Sequence, residues 1–342
     1  MSFSKIILNI FHWKNSLPVF DRFCLSRKYD EVLVTGASGF VGSALCRSLA
    51  AGPFQVVGQV RSLCNPVTGV EYVRAELKES TKLDAALRGV ECVVHLAGRA
   101  HIFGRRRDSL DIFRKVNRDA TLALARQAIE ASVKRFIFVS SIGVNGALTK
   151  EKPFDENSKP APHAEYAISK FEAEVALREL FKQSSTELVI VRPPLVYDWN
   201  APGNFSRLLK LVASGLPLPF GCIDNRRSFV SLDNLVDFLA CCMTHPSAAG
   251  ELFLVSDGQE ISTKQLVTAL AAGMGRRPIM WPVPRFILRF LKLVGKGGLY
   301  TQLCCSLEVD SSKGRFLLGW EPRKSTLSAL EDVGRIYVKR TE

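Results

Sequence analysis

The chain has no apolar run approaching the about 20 residues that a bilayer-spanning helix needs, so no transmembrane segment is expected. It has no C-x-x-C pair and no His/Cys cluster at zinc spacing. Its nine cysteines are odd in number and scattered, apart from the neighbours Cys241-Cys242 and Cys304-Cys305. That usage points to reduced thiols, a cytoplasmic setting and no metal site. Basic residues are not concentrated either. The 46 Lys and Arg against 33 Asp and Glu give a net charge of +13, yet the only tight run is Arg105-Arg106-Arg107. A dispersed excess argues against nucleic acid and leaves an acidic small substrate or an anionic surface. Residues 1–29 lack a secretory pattern, because Ile6-Ile7-Leu8 is too short for an h-region and is broken by Asn9. They read as an extension, with a peripheral membrane anchor as the sharper alternative.

What is present is alternation. At 342 residues, 47% hydrophobic and 23% charged, the chain has room for one large or two medium globular domains. Apolar runs at 31–34, 54–60, 92–96, 135–140 and 187–192 are separated by helical periodicity, notably over 111–131 and 165–182. Strands alternating with helices predict an α/β fold with a doubly wound parallel sheet, whose ligands sit at the carboxyl ends of the strands. The expected division is 1–29 extension, 30–192 nucleotide-binding domain with a return strand near 226–257, and 193–342 mainly a substrate-binding lobe.

The first strand runs into Thr35-Gly36-Ala37-Ser38-Gly39-Phe40-Val41-Gly42, and a helical pattern follows. Strand, glycine turn and helix make a cradle for a dinucleotide pyrophosphate. The spacing is G-x-x-G-x-x-G rather than the ordinary G-x-G-x-x-G. The second strand ends in Arg61 with no acid nearby. An acidic residue would take the adenosine ribose diol, whereas Arg accommodates a 2′-phosphate, so NADP(H) is favoured and NAD(H) is the alternative. Glu76-Leu77 could cap the adenine, and Leu96-Ala97-Gly98 would let the backbone pass close to the cofactor.

The chemistry sits in two places. Ser140-Ser141 ends the fifth strand, and Tyr166-Ala167-Ile168-Ser169-Lys170 begins a helix, with Tyr and Lys at i,i+4 on one face. An ammonium beside a phenol is expected to lower the phenol's pKa, and a Ser hydroxyl can hold the same substrate oxygen. Together the three side chains can move a proton on a carbinol while a nicotinamide moves the hydride. His95, inside an apolar strand, reads as structural; His101 and His163 are only conceivable neighbours of the site.

These residues carry a resemblance to the extended short-chain dehydrogenase/reductases, in particular the nucleotide-sugar epimerase/dehydratase family, over roughly residues 30 to 338. The family's glycine motif matches Gly36, Gly39 and Gly42, and its catalytic Ser, Tyr and Lys match Ser141, Tyr166 and Lys170. Asn117 matches its helix Asn near the cofactor, and Arg192-Pro193-Pro194 matches the segment that wraps the nicotinamide side. The resemblance implies a Rossmann domain and a homodimer through helices 111–131 and 165–182. It also makes the Gly215–Gly221 loop the nucleotide-base site, with Phe220 as the contact, and places Arg227 on the diphosphate; Asn204, ahead of a basic amphipathic helix, is a further substrate-binding candidate. Two departures matter. The Asp-Glu pair of family dehydratases is replaced by Ile142-Gly143, which speaks against water elimination. The acidic residue of NAD-retaining 4-epimerases is replaced around Arg61.

The resulting expectation is an enzyme acting at C4 of a UDP-linked hexose or N-acetylhexosamine, a 4-ketoreductase of surface-polysaccharide synthesis. The rivals are a 4-epimerase with retained NAD and a non-catalytic NADP sensor. Ser262-Thr263-Lys264-Gln265 has capping-box spacing. Phe286–Leu293 is expected to pack on the substrate lobe, with a membrane-surface helix as the alternative.

Overall fold

In the computed structural model the described residues are 30–62, 65–99, 109–293, 295 and 297–341. The expectations attached to residues 1–29, His101 and Arg105–Arg107 lie outside them. The strands are β1 (Glu31–Thr35), β2 (Gln55–Val60), β3 (Val70–Arg74), β4 (Cys92–His95), β5 (Arg135–Val139), β6 (Glu187–Arg192), β7 (Leu195–Tyr197), β8 (Phe229–Ser231) and β9 (Leu252–Leu254). Seven form one parallel sheet in the order β3-β2-β1-β4-β5-β6-β9, and β7 pairs with β8 separately. The order reverses between β1 and β4, so a crevice opens beyond their carboxyl ends.

The central strands are buried on both faces. Val32, Leu33, Val34, Val93, Val94, Phe136, Ile137 and Phe138 are all 0% exposed, which is why they read as continuous apolar runs rather than alternating ones. The helices that cover them are α1 (Phe40–Ala50), α2 (Asp84–Leu87), α3 (Leu110–Arg114), α4 (Ala120–Glu130), α5 (Glu165–Phe181) and, returning late in the chain, α7 (Leu232–Thr244). Between them the chain builds α6 (Asn204–Ala213), and after β9 it adds α8 (Thr263–Gly273), α9 (Arg285–Leu288), α10 (Phe290–Leu293), α11 (Gly297–Cys304), α12 (Ser312–Leu318) and α13 (Thr326–Thr341). A second core, with Tyr197, Phe205, Leu209, Ile223, Leu270 and Leu330, holds α6, α8 and α13 together. There α8 and α13 cross in backbone contact: a Cβ at Gly273 would lie 2.0 Å from Glu331 O, and one at Gly334 2.3 Å from Leu270 O.

Two helical expectations are modified. The segment read as one helix over 111–131 carries a π turn over Lys115–Asp119 between α3 and α4, an insertion of one residue that periodicity does not reveal. The Phe286–Leu293 stretch packs on the lobe only in part, through half-buried Leu288. It breaks at Arg289 into α9 and α10 and leaves Phe286 70%, Phe290 61% and Leu293 81% exposed. The capping box at Ser262 forms as read, with both reciprocal bonds to Gln265. Among the described residues no helix is long and apolar enough to cross a membrane.

Candidate active site

The crevice is built from the ends of β1, β2, β4 and β5. Beyond Thr35 the chain turns through Gly36 at φ 68°, a conformation that costs glycine nothing. A Cβ there would stand 2.9 Å from the Ala97 backbone, and a Cβ at Gly42 would stand 2.2 Å from Gly36 O. The turn thus lies backbone to backbone on the end of β4, and α1 starts hard against it. Gly39 caps α1 with no side-chain bond and no acid in the first turn. Its first N–H groups and the positive end of its dipole are therefore available to an anion. Ser38 and Gly39 are exposed there, and Phe40 and Val41 half-buried. The residues fit a dinucleotide pyrophosphate, since side chains are excluded where it would lie and no carboxylate competes for it.

The end of β2 contains a brace the sequence did not reveal. Gly36 N donates to Gln59 Oε1 at 3.1 Å, and Gln59 Nε2 donates to Ala75 O. Gln59 is thus committed to holding the glycine turn against β3. Arg61 lies beyond it, exposed, and Arg74 donates from Nε to the Arg61 carbonyl at 3.3 Å. Arg74 stands out only once register is known: β3 places it opposite Val60. Glu76 pairs with Lys78 at 2.6 Å, and Leu77 packs on the core.

Lys170 is 3% exposed. Its Nζ donates to Val139 O at 3.0 Å and stands 4.5 Å from the Phe138 ring centre. A Cβ at Gly98 would be 3.3 Å from Asn117 Oδ1 and 3.4 Å from Lys170 Nζ, so the end of β4, the π turn and α5 converge on one place. Burial pulls the Lys170 amine down to about 8, opposed by Glu174 one turn along. Burial pushes the Tyr166 phenol up to about 12. That direction is opposite to the expected lowering: burial alone sets it, and the Lys170 ammonium is given to Val139. The Phe113 ring meets Tyr166 edge-on at 6.3 Å. Ser141 Oγ accepts from Gly143 N at 3.1 Å, capping the turn at Ile142–Val144. Ile142 N donates to the carbonyl of buried Pro193 at 2.9 Å, which ties the Ser141 loop to the end of β6.

A chain of hydrogen bonds aligns these parts. Ala97 N donates to Thr35 Oγ1 at 3.2 Å, Thr35 Oγ1 lies 2.7 Å from His95 Nδ1, and His95 Nε2 lies 2.8 Å from Thr121 Oγ1. Thr121 donates its hydrogen to Asn117 O at 2.9 Å. That fixes the tautomer: His95 Nε2 donates to Thr121 and Nδ1 accepts from Thr35. Burial pulls the ring down to about 3. Asn117 itself donates to Arg99 O and Ser169 Oγ and accepts from Arg99 N at 2.8 Å. Behind it, buried Arg192 pairs with Glu174 and donates to Asn145 Oδ1 at 2.9 Å.

The lobe around the second core holds the remaining candidates. Asn204 opens α6 and donates to Gln302 Oε1 at 2.5 Å. Arg227 donates from one guanidinium nitrogen to Thr301 O at 3.3 Å and Cys305 O at 2.9 Å, and burial pulls it down to about 10. Helix α11 therefore brings Asn204 and Arg227 to one element. Phe220 is 5% exposed within the lobe core, which corrects its expected role as an open stacking face. His163 is exposed. No group of His, Cys, Asp and Glu among the described residues is placed to hold a metal.

Residues 32–256 match the NAD dependent epimerase/dehydratase family. A Vibrio cholerae protein named UDP-glucose 4-epimerase is 40% identical over 314 residues, covering 90% of this chain and 96% of that one. An Escherichia coli O157:H7 protein named N-acetyl-alpha-D-glucosaminyl-diphospho-ditrans,octacis-undecaprenol 4-epimerase is 30% identical over 253 residues, covering 72% and 73%. In fold, the chain resembles UDP-glucuronic acid 4-epimerase from Bacillus cereus in complex with NAD, with a TM-score of 0.72 at 21% identity over 91% of this chain and 99% of that one.

Proposed function

The chain belongs to the NAD dependent epimerase/dehydratase family, enzymes of the extended short-chain dehydrogenase/reductase group, and from that premise we propose that it is an NADPH-dependent 4-ketoreductase of a UDP-linked hexose or N-acetylhexosamine. The observation that carries this choice is the end of β2. Gln59 is spent on bracing the glycine turn, Glu76 is paired with Lys78, and Arg61 and Arg74 stand outside. Two guanidinium groups with no carboxylate free between them suit a 2′-phosphate rather than a ribose diol. An exchangeable NADPH suits net reduction, whereas a 4-epimerase must keep one cofactor through both half-reactions.

The Gly36–Gly42 turn and the start of α1 hold the pyrophosphate, and Gly98, Asn117 and Pro193 border the nicotinamide half. When bound, the nicotinamide supplies the hydride. Tyr166 gives its proton to the C4 oxygen, for which a phenol kept protonated by burial is the right starting state. Ser141 Oγ orients the carbonyl. Lys170 keeps N–H groups beyond the one given to Val139 and turns them to the ribose. Arg227 holds the diphosphate and Asn204 the adjoining nucleotide, a combination that α11 supports. A homodimer through α3, α4 and α5 is part of the same reading; Ile112 and Val175 expose apolar surface there.

The second reading, a 4-epimerase with retained NAD, is favoured by the 40% identity to the Vibrio cholerae relative. One experiment separates them. The cofactor released from denatured protein is identified by absorbance and mass, and the native protein is titrated with NADPH and NADH. Exchangeable binding that prefers NADPH supports the reductase; stoichiometric NAD released only on denaturation overturns it.

A further inference from the structure

The site leaves one large feature unused. Between Glu260 and Glu308 the chain has no Asp or Glu but seven Lys and Arg. The same stretch carries the most exposed run of large apolar side chains in the described residues. Ile279 is 52%, Trp281 59%, Phe286 70%, Ile287 51%, Phe290 61% and Leu293 81% exposed. Ile279 and Trp281 are fixed by the neighbouring Leu216–Gly221 loop, since Leu218 N donates to Ile279 O and Trp281 N to Leu218 O, each at 2.8 Å. Arg277 and Arg289 are exposed among these side chains and form no salt bridge among the described residues.

We propose that this patch is a docking surface for an anionic phospholipid bilayer, an interaction independent of the reaction assigned above. A soluble partner face of this size would normally carry mixed charge at its rim. Here the charged residues of the stretch itself, from Lys264 to Lys296, are of one sign only. Short helices with projecting Phe, Ile and Leu, preceded by exposed Ile279 and Trp281 and flanked by arginines, match the layering of a bilayer interface, where apolar tips enter the acyl boundary and guanidinium groups meet lipid phosphates. The two helices are too short to penetrate deeply, so the contact is peripheral and reversible. α9 and α10 lead directly into α11, which holds Asn204 and Arg227. Docking therefore brings the substrate lobe, rather than the dinucleotide half, to the membrane.

The test is flotation of the full-length protein with vesicles of phosphatidylcholine alone and of phosphatidylcholine with phosphatidylglycerol, at low and high salt. The expected result is binding to the anionic vesicles only, weakened by salt. Phe286→Ser with Phe290→Ser and Leu293→Ser should reduce it to background. Arg277→Glu with Arg289→Glu should weaken it on the order of tenfold or more. A blue shift of tryptophan emission on binding should vanish in Trp281→Phe and persist in Trp13→Phe, which separates this patch from the apolar segment near the start of the chain. NADPH affinity measured without vesicles reports that the variants remain folded. Absence of flotation, flotation unchanged in the triple variant, or loss of the shift in Trp13→Phe alone overturns the proposal. So does a vesicle-free dimer that the triple variant dissociates, which would assign the patch to a second copy.

Discussion

Two cations, buried Lys170 and half-buried Arg227, sit at opposite sides of the proposed reaction, and their settings differ. Lys170, in the dinucleotide half, donates to Val139 O and lies against the Phe138 ring. Arg227, in the C-terminal lobe, donates to Thr301 O and Cys305 O. Both are held by carbonyls rather than by a carboxylate, and burial lowers both, to about 8 and about 10. A carbonyl aims a cation without cancelling its charge, so each stays able to meet an incoming anion or hydroxyl. The difference is chemical. A lysine brought to about 8 stands close to neutral pH and can lose its proton there, whereas a guanidinium at about 10 stays charged. One half of the site is built to be tuned and the other to be constant.

Substitutions can break that contrast, beginning with the residue whose state Lys170 accompanies. Tyr166→Phe should lower turnover by on the order of 10³-fold while leaving NADPH affinity intact, measured by NADPH oxidation and by fluorescence titration. Arg227→Met should raise KM for the UDP-sugar by about 10- to 100-fold with a smaller change in kcat, the pattern of a lost charge-assisted contact. Arg61→Ala should weaken NADPH binding by about tenfold and leave NADH unchanged.

The smallest change sharpens the comparison through stability. Lys170 falls from 10.5 to about 8 on folding, so the unfolded chain binds more protons between those values and stability rises with pH across them. Below pH 8 the full cost, about 3 kcal/mol, is present. Lys170→Met should therefore raise the melting temperature at neutral pH, with the gain shrinking as pH climbs toward 10.5 and catalysis lost throughout.

The same contrast explains what could be read without coordinates. In the dinucleotide half, chemistry is local in sequence. Gly36, Gly39 and Gly42 share one turn, Tyr166 and Lys170 one helical face, and the strands announce themselves as apolar runs. Gln59, Arg74 and the π turn at Asn117 escaped notice because they depend on register and on a single inserted residue. In the lobe, Asn204 and Arg227 meet only through α11, nearly a hundred residues beyond Asn204, and no pattern links them. Phe220 and the Phe286–Leu293 stretch show a further limit. Apolar residues in a loop or short helix look alike in sequence whether they face a core, as Phe220 does, or solvent, as Phe286 does.

The hydrogen-bond chain through His95 has a consequence for where this protein can work. A histidine beside an oxidoreductase site invites reading as a proton reservoir, but this ring is neutral at every physiological pH, since protonating Nδ1 would set two hydrogens against each other at Thr35. Unfolded, it would titrate near its ordinary 6.5; folded, it resists to about 3. Acidification across that interval removes on the order of 5 kcal/mol from the native state, comparable to the whole stability of many domains. The residue that aligns the cradle at neutral pH is therefore also one that weakens the fold in acid.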